Sequence, residues 1–155
     1  MANGFTVKIE DRQVKNLLAR AMKASEDLTP AMKAIGEHLR RSTEENFAGE
    51  HAPDGTPWKP LSARYRKWKE KHGKGRKILT ESSELRGSVH YDAEPHRMII
   101  GSGKVYAAIH QLGGKAGRGR KVTIPPRPFL GIGPDDRVEI NEIIKDHLRM
   151  AFSGR

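Results

Sequence analysis

The chain contains no cysteine, which removes disulfides, thiolate nucleophiles and cysteine-type zinc sites in one step. Aromatic residues are also few, with two Trp, three Tyr and four Phe among 155 residues, and hydrophobic residues make up only 35% of the chain. A core drawn from so small a stock is modest and leaves much of the surface for partners. No apolar run approaches the roughly 20 residues of a membrane span. The opening MANGFTVKIEDRQ lacks the basic and then apolar order of a secretory leader. These absences predict a soluble protein, not exported by those routes and compatible with a reducing cytoplasm, and the length predicts a single domain over residues 1–155.

Positive charge is plentiful, and its placement says more than its sum. The formal net charge is +10. Residues 59–77, KPLSARYRKWKEKHGKGRK, hold nine Lys or Arg against one acid, while Lys115, Arg118, Arg120, Lys121 and Arg127 add five more with none opposed. Removing those fourteen bases and one acid from totals of 29 and 19 leaves 15 bases against 18 acids. Cation concentrated in two segments of an otherwise slightly acidic chain points to a polyanion or to an acidic partner surface. Basic loops are expected near 69–77 and 113–123.

The apolar pattern divides the chain into short elements. FTVKIE (5–10) alternates as a strand does, and Asp11 can cap a helix whose stripe is Val14, Leu17, Leu18, Ala21 and Met22. Thr29 followed by Pro30 predicts a second start, with a capping hydroxyl and proline at the first helical position. That helix runs to about Phe47 with Met32, Ile35, Leu39 and Phe47 inward. GEHAPDGTPWKP (49–60) reads as an ordered turn. Leu61, Tyr65 and Trp68 share one side of a short basic helix, and Thr80, Ser82 or Ser83 can cap another that carries Leu85. Ser88 to Asp92 and residues 96–102 form an antiparallel pair. Tyr106 to Leu112 is a helix ended by Gly113 and Gly114. FLGIG (129–133) is a last strand, and Asp135 or Asp136 caps a terminal helix carrying Val138, Ile140, Ile143, Ile144, Leu148 and Phe152. The order predicts an α+β fold, a small mainly antiparallel sheet flanked by N-terminal helices and a C-terminal helix.

Sequences that suggest catalysis do not complete a site. GSGK (101–104) would need Gly at 98 and Ser or Thr at 105 to be a phosphate loop, and Met98 and Val105 stand there. GIG at 131–133 is followed by proline and lacks a third glycine. The seven histidines show no metal-ligand spacing, and His110 has no nucleophile or carboxylate in local register to serve as a base. No catalytic, cofactor or metal residue is assigned, although compact nucleases with scattered Asp, Glu and His stay as a remote alternative.

The basic segments admit two readings. Lys and Arg interleaved with Tyr65 and Trp68 resemble a nucleic-acid face, where cations meet phosphates and rings stack on bases. Tyr65 and Trp68 lie on the stripe of Leu61, however, which favours burial over stacking. Nonspecific DNA binding through 59–77 and 115–127 and docking to an acidic protein therefore stand level. The candidate DNA- or partner-facing bases are Arg64, Lys67, Lys71, Lys74, Arg76, Lys77, Lys115, Arg118, Arg120 and Lys121.

Four stretches in order, PDGTPWKPLS (53–62), KILTESSELRGSV (77–89), IIGSGKVYAAIHQLGG (99–114) and IPPRPFLGIGPDD (124–136), resemble the virion morphogenesis or tail-completion family of contractile-tailed phages such as Mu. The likeness covers roughly 45–150. The T-x-x-L-R-x-S turn, the Y-A helix ending in Gly and the P-F-L segment before a terminal helix are similar to the wider class of head-tail joining and tail-terminator-like proteins. One departure is ESSELRG, where relatives often have Gly after the Ser. The resemblance implies a tail-terminator-like protomer with no enzymatic activity and no cofactor. It implies a ring, of six copies, at the head-tail junction. The implied partners are other copies, the head-tail connector, the tail tube or terminator proteins and genomic DNA in the lumen, with no membrane. The implied location is the virion, after synthesis in the bacterial host cytoplasm.

Physical roles can be assigned to the motif residues. Asp54 and Gly55 supply a tight turn, which Pro57, Trp58 and Pro60 stiffen so that Trp58 anchors it on the core. Leu79, beside Thr80, and Leu85 pin the short helix to the sheet. Tyr106 and His110, one turn apart and ahead of Gly113, share a face. Pro125, Pro126 and Pro128, which flank Arg127, deny three backbone donors, so the segment enters a sheet only at an edge or just before a strand, here Phe129 and Leu130. GGKAGRGRK before it is expected to be a mobile loop that can order against a neighbour or DNA.

Overall fold

The computed structural model describes residues 12–153. The strand expected at 5–10 and the Asp11 cap lie outside the described residues, as do the side chains of Val14, Leu17, Leu18 and Ala21. Helix α1 (Arg12–Glu26) forms as the apolar spacing predicts, and Met22 at the end of its stripe is exposed.

Helix α2 (Thr29–Gly49) begins where Pro30 places it, but the Thr29 hydroxyl does not cap it. Leu28 takes the cap position, and the Thr29 N–H donates to Asp27 Oδ1 at 3.0 Å. A carboxylate two residues upstream satisfies a free N–H and faces the positive helix end at once, which a hydroxyl cannot do. The bonds from Thr29 hold the Asp27 carboxyl below its ordinary value. Ala31, Ile35, Leu39, Thr43, Asn46 and Phe47 form the inward face of α2. Gly36 lies on it as well, because a Cβ there would come within 2.3 Å of the Tyr91 ring.

The segment after α2 is the ordered turn that its prolines and Asp54-Gly55 predict. His51 and Pro57 bridge, Ala52 N–H donates to Thr56 O at 2.8 Å, and Gly55 has φ +83°. Helix α3 (Ala63–Lys71) starts on Ser62, whose Oγ accepts from Tyr65 N–H. Its buried residue is Lys69, while Tyr65 and Trp68 are both 43% exposed and stack on each other at 5.7 Å. The expected burial of these rings fails: they stack on each other at the surface, and Trp68 extends the stack onto His72 at 4.5 Å.

Helix α4 (Glu84–Gly87) has Ser83 at its cap with φ +57° and no side-chain capping bond, so none of the three expected hydroxyls caps it. Strands β1 (Val89–Glu94) and β2 (Arg97–Ser102) pair antiparallel, with Val89 opposite Ser102 and Glu94 opposite Arg97. Helix α5 (Ala107–Leu112) stops at Gly113, which has φ +75°. The basic loop expected next is an ordered hairpin: β3 (Gly114–Ala116) pairs with β4 (Val122–Ile124) across a 3-10 turn at Arg118–Arg120. Gly117 and Gly119, at φ +78° and +70°, allow the reversal. The β structure is thus two antiparallel ribbons, β1-β2 and β3-β4, in an α+β fold.

Helix α6 (Pro134–Ser153) packs on α1 and α2. Asp136 Oδ2 accepts from Gly133 N–H at 2.8 Å, so this carboxylate closes the helix start from its third position. The main core gathers Phe47, Trp58, Ile78, Leu85, Val89 and Phe129. Phe47 is its centre, with its ring 5.6 Å from Trp58 at 84° and 5.1 Å from Phe129. An edge-to-face contact of this kind adds about 1 kcal/mol beyond area burial.

Candidate functional site

The expected last strand at 129–133 is absent. Proline at 125, 126 and 128 leaves few N–H groups for a ladder, and side-chain amides take over the pairing. Gln111 Oε1 accepts from Phe129 N–H at 3.0 Å and Leu130 N–H at 3.1 Å, and its Nε2 donates to Leu130 O at 2.8 Å. Asn46 Nδ2 donates to Phe129 O, and Trp58 Nε1 to Pro128 O at 2.7 Å. The N–H of Arg127 donates to His110 O at 2.7 Å. Residues 53–62, 106–113 and 124–130, distant in sequence, are thereby tied into one knot over Phe47.

A cation is enclosed within that knot. Arg127 is 6% exposed, with Nε donating to Lys59 O at 2.8 Å and Nη2 to Pro60 O at 3.3 Å. Lys69 is 3% exposed and donates from Nζ to Lys77 O at 2.7 Å. Among the described residues neither meets a carboxylate. The carbonyls take one hydrogen of Lys69 and two of Arg127 but do not neutralise charge, and a buried ion is costly without a counter-ion. Burial pushes the Arg127 guanidinium below its ordinary value, which leaves it charged at neutral pH. Burial, and then Arg127, lower His110, whose buried Nδ1 has no hydrogen-bond partner. The ring of Tyr106 stands edge-on to His110 at 6.0 Å, on one face as the spacing predicts.

These groups line one groove of about 730 Å³. Lys59, Lys69 and Arg127 set its sign, Leu61, Leu79, Leu85 and Ile124 supply apolar walls, Tyr65 and Tyr106 supply hydroxyls, and His110 lines it as well. Its one acid, Glu81, is engaged elsewhere, bonded to Tyr65 Oη at 3.3 Å and Lys74 Nζ at 3.2 Å. A second groove, of about 530 Å³, has the opposite character: Glu45, Asp54, Asp135, Asp136 and Glu139 line it against Arg41, His38 and His51. His38 Nε2 lies 2.8 Å from Asp136 Oδ1 there.

The sequence-predicted residues divide between these features. Trp58, Leu85, Arg127 and Phe129 are buried, Leu79, Thr80, His110, Gly113, Pro125, Pro128 and Leu130 are half-buried, and Asp54, Gly55 and Pro57 are exposed at the turn. The ten candidate bases are exposed, but they do not form one free patch. Lys74 pairs with Glu81, Arg76 with Glu70 at 3.3 Å, and Lys77 Nζ donates to Ala48 O. Arg64, Lys67, Lys71, Lys115, Arg118, Arg120 and Lys121 enter no ion pair among the described residues. Sequence reasoning missed the burial of Lys69 and the bonding roles of Asn46 and Gln111, whose partners Phe129 and Leu130 lie farther along the chain. Among the described residues, no three His, Asp or Glu side chains come together as metal ligands, and no helix is long and apolar enough to cross a membrane.

Residues 9–149 match the phage virion morphogenesis family, and the chain belongs to it. Its particular relatives sharpen this. It is 34% identical to the Mu-like prophage FluMu G protein 2 of Haemophilus influenzae, over 90% of this chain and 91% of the relative. It is 34% identical to the putative capsid assembly protein G of Escherichia phage Mu, over 77% and 79%. With the tail completion protein S of Escherichia phage P2 it shares 31% identity over 74% and 79%. No solved structure matches.

Proposed function

We propose that this chain is a structural component of a phage or prophage particle that completes the tail and joins it to the head, assembling as a six-membered ring at the head-tail junction. The observation that carries this reading is the likeness over most of the chain to a tail completion protein and to a putative capsid assembly protein. Val105, Leu112 and Val138, 98%, 75% and 64% exposed, are apolar side chains left outside in a chain that has few of them. The role is one of assembly rather than catalysis, and its partners are further copies, the head connector and the tail tube or terminator. Electron microscopy of particles lacking the protein tests this: full heads beside separate tails are expected, and empty or missing heads would overturn it.

A second reading, nonspecific nucleic-acid binding through 59–77 and 115–127, is favoured by the exposed Tyr65-Trp68 stack. Exposed rings beside unpaired bases are the arrangement that single strands use. In a ring, the same bases would line the passage for DNA.

A further inference from the structure

We propose that the cationic groove of one copy receives the acidic rim of the next, formed by Glu45, Asp54, Asp135 and Glu139, in a head-to-tail contact. This names the contact between copies within the ring proposed above and rests on that reading. Two observations lead to it. Among the described residues, Lys69 and Arg127 are buried beside a common groove and neither pairs with a carboxylate, and Glu81 in that groove is already bonded to Lys74 and Tyr65. A carboxylate from outside would supply the counter-charge that this chain withholds. The second groove, which shares no lining residue with the first, presents four exposed carboxylates on the 53–56 turn and the starting turns of α6 and along α2.

The form of the site selects its occupant. Its two buried cations are 3% and 6% exposed, out of reach of a duplex, whose phosphates are met by exposed cations. A carboxylate carried on a tight turn or a helix end can reach them. Self-complementary pairing of either groove with its own copy would oppose like charges. Pairing one with the other uses two different patches on each protomer, the heterologous geometry that builds rings where the rotation closes. Lys59, exposed at the mouth of the cationic groove, and Asp135, exposed on the rim, are the pair through which the contact can be tested.

The test uses the full chain with Lys59→Glu, Asp135→Lys and the two combined. Sedimentation and native mass spectrometry read the concentration at which rings form. Each single variant is expected to raise it about tenfold, as removal of a close interfacial charge pair does. The double variant, or an equal mixture of the two singles, is expected to recover it. In a mixture of isotope-labelled and unlabelled wild type, carbodiimide should join Lys59 to Asp135 or Glu139 between copies. Rings that form without such links, or single variants that assemble as wild type does, overturn this contact and leave the ring reading standing. Single variants that self-assemble but no longer bind a connector or tail component would assign the groove to another protein and likewise overturn it. A wild-type chain that stays monomeric, alone and with those components, sinks the ring reading and this contact together.

Discussion

The side chain of Gln111 serves Phe129 and Leu130 as a neighbouring strand would, accepting two backbone N–H groups at 3.0 and 3.1 Å and donating to Leu130 O at 2.8 Å. One amide therefore fixes a proline-rich segment that cannot join a ladder, and with it the position of Arg127 in the groove.

Replacing Gln111 with Ala orphans those three backbone groups. The expected cost is about 1–3 kcal/mol in urea unfolding, with the midpoint shifted and the slope preserved. An unchanged midpoint would mean that water satisfies the segment equally well.

The two tryptophans should behave oppositely. Trp58 is buried against Phe47 and bonded to Pro128 O, so Trp58→Ala should cost roughly 3–5 kcal/mol. Trp68 is exposed, and Trp68→Ala should move stability by about 0.5 kcal/mol or less. If Trp68 serves a partner or a nucleic acid, its loss will appear in assembly or binding instead.

Gly133 needs to be glycine for want of room. A Cβ there would lie 2.1 Å from Pro53 O, a backbone atom that cannot swing aside. Gly133→Ala should therefore cost about 1–3 kcal/mol or more and displace the acidic turn from the start of α6. Thermal unfolding that is unaltered would contradict the close approach.

His110 should make stability depend on pH. Burial and Arg127 hold its pKa below the ordinary 6.5, so as pH falls the unfolded chain takes up a proton that the folded chain resists. The His110 contribution is complete above about pH 6.5 and declines as pH drops below that value. Denaturation of wild type against His110→Gln between pH 7 and 5 should show a steeper loss in wild type, and parallel curves would refute the assignment.

Neutralising Lys115, Arg118, Arg120 and Lys121 separates the two readings of the hairpin. If it lies along DNA, affinity should fall for all duplex sequences, and the salt dependence should flatten by about one unit for each phosphate that a base no longer neutralises. Retained binding with failed particle assembly favours a protein partner.

Much of this architecture is visible in local pattern. Pro30 marks the start of α2, Ile35, Leu39 and Phe47 mark its inner face, and Gly55 and Gly113 mark a turn and a helix end, because each depends on a residue and its immediate neighbours. Reading fails where a distant group decides. Thr29 yields to Asp27 as the bonding partner, FLGIG loses its strand to Gln111 and Asn46, and Tyr65 and Trp68 stack on each other at the surface instead of being buried. The supposed loop at 113–123 closes on itself through a ladder that glycines at positive φ permit.

The amino-acid sequence by itself determined the class of the fold, the clustering of positive charge, the absence of thiol chemistry and the family, since these follow from composition, spacing and ordered motifs. Only the tertiary structure decided that, among the described residues, Lys69 and Arg127 are buried without a counter-ion and that acidic and basic grooves occupy different parts of one surface. Burial and charge pairing depend on residues far apart in the chain, so no local window of sequence contains them.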